Sequence, residues 1–499
     1  MSKVRDIFSR PRRVVSLLVM AFIASPLPLV VSGAEIYVDS QASQGGTGTQ
    51  ASPFATIPAA LAAASANSTI WVRGGEGRAY GVTNNTDTLQ IPSGMEGLSI
   101  CAYETTPGDG GRALVAISDT YIIDGNRAHI ISNRAANVTI SGLDFAFGTT
   151  AIGKQNVGSC SILWTAAPFT TLENCLLRMP QPTTYAGSGA SSPLVICTSR
   201  EATNLVVRGC EFRNTRCWST AHGYAPIKSK SNAVIVGNIF TNVNATATAE
   251  QRDAVNGGEQ ACYNFSFVSN VVYGANDGGN LSAAFLYGLY PGPKSAEIAF
   301  NRFVADPGAR NMQGGIISHR VNLTFGGQFA DAFSGYDATL IHHNTIIGGR
   351  SAFLFSDGEK AKRKSQFFSN LLLLDPDGTN LVDSSSVTAF SDGRTTSFVA
   401  PSCLRNNAYT GVLTGGNATA LAIYDLEAGL EITNNIVLSA PLEFICTNDI
   451  YNADFYRVRC RQGDPNLKKL GWKGPDGLQP RFIGALEPLV SDTFIIRLR

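Results

Sequence analysis

Asn232-Ala-Val-Ile-Val-Gly-Asn-Ile-Phe240 is the stretch on which the fold turns. Ile235 stands three positions before the turn residue Asn238, and Phe240 stands two positions after it. The same spacing recurs at Ile140/Leu143, Leu172/Cys175, Val207/Cys210, Phe267/Asn270, Ile298/Asn301, Ile341/Asn344, Phe367/Asn370, Leu404/Asn407 and Ile432/Asn435. A second apolar residue follows each turn, at Phe145, Leu177, Phe212, Phe240, Val272, Phe303, Ile346, Leu372, Tyr409 and Val437. From Asn238 onward the turn residue is always Asn, at separations of 32, 31, 43, 26, 37 and 28 residues. A short fixed module with insertions of varying length is the signature of a solenoid.

Apolar residues at alternate positions point to one side of a strand. A turn between two short strands needs a residue tolerant of left-handed backbone angles, which Asn supplies. Strands stacked about 4.8 Å apart let successive inward amides bond along a column, as burial of an amide requires. The expected fold is therefore all-β, a stack of parallel rungs about 60 Å long. This pattern resembles the right-handed parallel β-helix of the pectin-lyase-like superfamily, whose Asn ladders occupy this kind of turn. The resemblance implies a single-stranded right-handed coil.

Residues 1–34 fall outside the repeat. Lys3, Arg5, Arg10, Arg12 and Arg13 precede an apolar run from Val14 to Val31, and Ser32-Gly33-Ala34 offers small residues for cleavage. Pro26 and Pro28 interrupt the run, against a permanent membrane anchor. The expectation is a signal peptide for general secretion, and a periplasmic or extracellular protein. Taking away five basic and one acidic residue from the 39 and 38 of the chain leaves 34 against 37, a formal net of −3. That balance gives no broad electrostatic case for nucleic acid.

The ten cysteines suit an oxidising compartment. Cys446 and Cys460 flank a polar loop and are candidates for a disulfide. Cys175 and Cys210 hold the same turn position on successive rungs. They are read as buried thiols, because stacking in register does not by itself give disulfide torsions. No cysteine or histidine spacing marks a metal site.

Residues 35–499 read as one β-helix domain: an N-terminal cap at 35–68, a body at 69–440 and a loop-rich C-terminal cap at 441–499. Pro58–Ala66 is Ala-rich and predicts a helix across the open end of the stack. The order of the opening, with Ile-Pro-Ser-Gly from Ile91, Ile-Asp-Gly from Ile123 and Ser-Gly-Leu-Asp-Phe from Ser141, is similar to the chondroitinase B and alginate lyase family.

The densest polar set between two turn residues lies from Cys210 to Asn270, and includes His222, Lys228, Lys230 and Arg252. With Ile227 and Ser229 inward, Lys228 and Lys230 point outward on one strand. In the family just named, a Lys-Ser before a Gly-Asn turn supplies the base for β-elimination. Lys228-Ser229, ten residues before Asn238, resembles that arrangement, with Lys230-Ser231 as the other register. An Arg one rung later is matched by Arg252. Removing the proton beside a uronate carboxylate needs such a base and positive charge for the developing enolate. The family's Arg-His-Gly is Arg252-Asp-Ala here, and Ala221 and Gly223 fall where its calcium-holding acidic pair stands. Calcium is therefore optional on this reading.

Each residue also has a plain reading. Outward lysines on a solenoid are commonly solubilising charges, and His222 in Ala-His-Gly-Tyr suits a turn histidine bonded to backbone. His319 and Arg320 suit contact with an anionic sugar or an exposed rung end, and the pair His342-His343 reads as structural. Tyr287 and Tyr290 suit sugar stacking or packing. The leading expectation is an exported, monomeric lyase on an anionic polysaccharide, with Lys228, Arg252 and His222 catalytic and Lys230, His319 and Arg320 binding substrate. The alternatives are a hydrolase or epimerase on the same fold, or a non-catalytic polysaccharide-binding β-helix.

Overall fold

A computed structural model of the 499-residue chain describes residues 33–118, 129–147, 161–178, 194–198, 202–213, 227–228, 232–241, 247–248, 266–274, 286–287, 297–305, 317–320, 340–347, 353–356, 366–373, 390–391, 403–410, 431–433, 436–438, 442–461, 484–486 and 489–491. Gly33–Arg499 forms one compact unit.

Each turn of the coil gives one short strand to each of three parallel sheets. One turn runs Val206–Arg208, Glu211–Arg213, Ile227–Lys228, and the next runs Val234–Val236, Ile239–Thr241, Ala247–Thr248. Among the described residues the first sheet has 13 strands, the second 12 and the third 10. Neighbours in each sheet are the same strand of successive turns, so the expected parallel β-helix is the fold.

The register follows the alternation. Ile140, Leu172, Val207, Ile235, Phe267, Ile298 and Ile341 pair in line along the first sheet. Phe145, Leu177, Phe212, Phe240, Val272, Phe303, Ile346 and Leu372 do so along the second. All of these are buried. Phe212 and Phe240 stack at 4.5 Å between ring centroids, one rung above the other. Each inward side chain thus covers the one below it, and the core is a continuous column, not a ball.

The turn between the first and second sheets carries the amide ladder. Asn238, Asn270, Asn301, Asn344, Asn370 and Asn407 are all buried, and Asn435 lies outside the described residues. Asn238 Nδ2 donates to Asn270 Oδ1 at 3.0 Å and to the Val207 carbonyl at 3.0 Å. Asn270 Oδ1 also accepts the Asn238 backbone N–H at 2.9 Å. The unit repeats from Asn270 to Asn301, Asn344, Asn370 and Asn407.

The expectation that these asparagines supply the left-handed angle is corrected. That angle belongs to the residue before each of them: Gly237 (φ 65°), Ser269 (58°), Phe300 (57°), His343 (52°), Ser369 (56°) and Asn406 (55°). The ladder position selects an amide because it must both donate and accept, while its backbone is ordinary. Besides Asn174 and Asn406, which directly precede ladder positions, left-handed asparagines stand in the turn that leads into the first sheet, at Asn67, Asn137, Asn204 and Asn232.

Cys175 and Cys210 occupy the ladder position on earlier rungs as buried free thiols. Cys210 Sγ donates to the Leu172 carbonyl at 3.5 Å, the bond that Asn238 Nδ2 makes to Val207 one rung later. Burial and the neighbouring Cys210 push the Cys175 thiol well above its ordinary pKa, so it stays protonated. Cys446 is also a free thiol, against Asn448 and Asp449, so the disulfide to Cys460 is not formed.

The N-terminal helix runs Ile57–Ala63, shorter at its C-terminal end than Pro58–Ala66. Thr56 caps it by accepting the Ala59 N–H at 3.3 Å, and Pro58 sits in its first turn. Ile57, Ala60 and Leu61 are buried in the same core as Ile36, Ile70 and Leu89, the first strands of the stack. The helix covers that end.

The C-terminal segment lies along the side of the coil. Phe455 is buried with Val271 and Val304 on the outer face of the second sheet, and Val458 with Leu371, Leu373, Ala408 and Leu438. Arg302 Nη1 donates to the Ala453 and Phe455 carbonyls at 2.9 and 3.0 Å. The strand Leu371–Leu373 is buried on both faces for this reason.

Candidate functional site on the third sheet

Of the residues singled out in the sequence, Lys228, His319 and Arg320 lie on the third sheet. Ile227 and Lys228 pair with Ile196 and Cys197 on one side and with Ala247 and Thr248 on the other. Ile227 thereby continues the line Ile131, Leu163, Ile196, all buried. Lys228 continues the alternate line, Gln90–Ser132–Trp164–Cys197, and passes it on to Thr248 and Tyr287. Gln90 is exposed, and Ser132 and Trp164 are half-buried, so this line is the outer one where side chains are described.

His319 and Arg320 lie on the same sheet, in the strand Ile317–Arg320, three turns beyond Lys228. Ile317 pairs with Leu286, so Ser318 takes the register of Lys228 and Tyr287, and Arg320, two residues on, falls on the same line. His319 shares the register of Ile317. His222, Lys230 and Arg252 lie outside the described residues, as does Tyr290.

Two turns before Lys228, the outer line carries a cluster that the sequence reading passed over. Trp164 stacks on His129, with ring centroids 5.4 Å apart and planes 11° from parallel. His129 Nδ1 is 2.8 Å from Ser161 Oγ. The Arg134 guanidinium lies 5.7 Å from the Trp164 ring centroid. Arg134 is exposed, and among the described residues no carboxylate pairs with it. The signal was present: Ser161-Ile-Leu-Trp-Thr165 puts a tryptophan where alternation calls for a polar residue.

Charges elsewhere on the described surface are mostly matched. Arg178 forks onto Asp144 at 2.9 and 2.5 Å, Arg208 pairs with Glu173, and Arg73 and Arg78 share Asp39 at 3.2 and 3.0 Å. Arg213 and Tyr451 both bond Glu211. His342 and His343 pack on Phe368 and Phe300, with centroids 4.8 and 5.1 Å apart, in line with a structural role. Their Nδ1 atoms are 2.9 Å apart, and His342 Nε2 is 3.2 Å from Glu297. With Nε2–H given to Glu297, His342 Nδ1 accepts from His343 Nδ1–H. Among the described residues no three His, Cys, Asp or Glu side chains converge to hold a metal ion, and no helix is long and apolar enough to cross a membrane.

No model of a known family and no curated protein matches the chain. Solved structures of similar course include a pectate lyase, at 12% identity over 91% of this chain and 96% of that one, TM-score 0.47. A rhamnogalacturonan lyase follows at 13% identity over 75% and 87%, TM-score 0.42. A PL6 family alginate lyase matches at 11% over 85% and 55%, TM-score 0.40. By its own strand pairing and amide column, the chain is a parallel β-helix.

Proposed function

We propose that the chain is an exported carbohydrate-active protein that cleaves a uronate-containing polysaccharide by β-elimination on the outer face of the third sheet. The observation that carries this reading is the register of Lys228, in one line with Trp164 before it and Tyr287 after it. Such a line offers an extended chain aromatic and cationic contacts along the stack. The leader-like segment at residues 1–34 is consistent with export.

In the proposed step, the Lys228 amine takes the proton beside the uronate carboxylate. The freed electron pair forms a carbon–carbon double bond, and the glycosidic C–O bond on the next carbon breaks. The leaving oxygen takes a proton, for which His222 is the candidate. Arg252 is one turn on in sequence, and rungs about 5 Å apart allow it to neutralise the enolate. Lys230 and Arg320 extend the positive character of the face, whereas His319 takes the register of Ile317, on the Ile227 line, and is left out of it. Ala221 and Gly223 provide no carboxylates where the family's calcium pair would stand, so the residues do not fit that metal and no step passes through one.

A panel of anionic polysaccharides, followed by the ultraviolet absorbance of an unsaturated product, tests the proposal. Activity that Lys228→Ala abolishes, with an unchanged unfolding midpoint, supports it. Full activity in that variant moves the base elsewhere. Binding with no product from any acidic chain favours a second reading, a non-catalytic polysaccharide-binding β-helix, which the Trp164 cluster alone would serve.

A further inference from the structure

We propose that Arg134, Trp164 and His129 form a subsite for one acidic sugar residue, two rungs to the N-terminal side of Lys228. This inference rests on the reading that the outer face of the third sheet binds a polysaccharide, but not on that face being catalytic.

The cluster is held in place from beneath. Leu163 and Thr165, on either side of Trp164, are fully buried, so the strand cannot turn the indole away. Thr165 Oγ1 accepts from Asn133 Nδ2 at 3.2 Å, and Asn133 Nδ2 also reaches Thr170 Oγ1 at 3.0 Å. Asn133 Oδ1 in turn accepts the Ala135 N–H at 3.0 Å, and the Arg134 N–H donates to the Ile91 carbonyl at 2.9 Å. A satisfied buried network therefore fixes the backbone on both sides of Arg134 and beneath Trp164. His129 lies against the indole and is anchored through Ser161, which makes it a positioning residue.

The exposed chemistry has two parts. The half-buried indole, stacked on His129, leaves part of its apolar surface to suit the C–H face of a sugar ring. The guanidinium offers forked donors that suit a carboxylate, and it is an exposed arginine on this face without an acidic partner among the described residues. Arg73, Arg78, Arg178, Arg208 and Arg213, on other faces, have theirs. An indole with a carboxylate-binding fork over its ring matches a uronate better than a neutral sugar. At about 4.8 Å per rung, the cluster lies about 10 Å from Lys228 along the same line. A chain lying along the stack reaches both.

The test is binding of oligouronates to the full-length protein, read by intrinsic tryptophan fluorescence and by calorimetry. Lys228→Ala serves as background to stop any turnover. Carboxyl-reduced, neutral oligosaccharides and a single-stranded oligonucleotide are the comparison ligands. Arg134→Gln is expected to weaken oligouronate binding about tenfold and to remove the preference over the neutral analogue. Trp164→Ala is expected to weaken both ligands. Trp164→Phe keeps a ring against His129, so it should retain binding while losing the fluorescence change. Unaltered affinity in both Arg134→Gln and Trp164→Ala overturns the subsite, as does equal affinity for the neutral chain or tighter binding of the oligonucleotide. If no variant or wild-type protein yields product, the lyase reading fails while these affinities still decide the subsite. If turnover is seen and Arg134→Gln leaves KM unchanged, the subsite fails alone.

Discussion

A single ladder asparagine carries four bonds, which makes its substitution unusually informative. Asn301 Oδ1 accepts the backbone N–H and the Nδ2 of Asn270, and its own Nδ2 donates to the Phe267 carbonyl and to Asn344 Oδ1. Asn301→Leu leaves the Asn270 N–H and the Phe267 carbonyl buried without these partners. Each orphan costs about 1–3 kcal/mol, so a loss of about 2–6 kcal/mol is expected in denaturant unfolding. A midpoint within error of wild type would mean that the column is not what holds the turns.

His342 makes a second residue-scale case. Its imidazole is lowered from 6.5 to about 4 by burial, although Glu297 accepts from it. Glu297 is 45% exposed and screened by water, so burial wins over that contact. The unfolded imidazole takes its proton near pH 6.5 and the folded one only near 4. Between those values the unfolded chain binds more protons, and stability falls as the pH drops. His342→Gln should remove up to about 3 kcal/mol of that acid dependence, measured as the urea midpoint between pH 7 and 4. The same slope in the variant would assign the effect to other groups.

At the scale of elements, the C-terminal segment behaves as a cover for the second sheet. Val271, Val304, Leu371 and Leu373 face outward by register, and a bare sheet face of this kind invites association. Phe455, only 2% exposed, is fully buried where that segment closes it. Phe455→Ala should weaken this docking by about 3 kcal/mol. Faster protease cutting near residues 442–461 and binding of a hydrophobic dye would report it. Wild-type resistance in that variant would show that Val458 and the Arg302 bonds suffice. The helix Ile57–Ala63 does the corresponding work at the N-terminal end, where strand edges, not a sheet face, need cover.

At the scale of the whole molecule, stability is shared between neighbouring rungs, because each turn touches mainly the turns before and after it. That same locality explains what could be read in advance. The apolar spacing around Asn238 repeats ten times, and period-2 alternation leaves one choice of inward face; the register along Ile140–Ile341 and Phe145–Leu372 therefore follows from the sequence. The amide column was legible for the same reason, and so was the choice of thiols at Cys175 and Cys210. The identity of the left-handed residue was not: an Asn suits both a strained backbone and a bonding column, and only the dihedral angles at Gly237 and Phe300 separate the two uses. Nor was the course of residues 442–461, since nothing in a local repeat says which outer face a later segment covers. The Lys228 line follows from alternation, whereas the meeting of Arg134, Trp164 and His129 depends on side chains crossing from one rung to the next. Periodicity in the chain determines what stacks along the coil. Contacts on its outside, between residues with no fixed spacing, are decided only when the coil has formed.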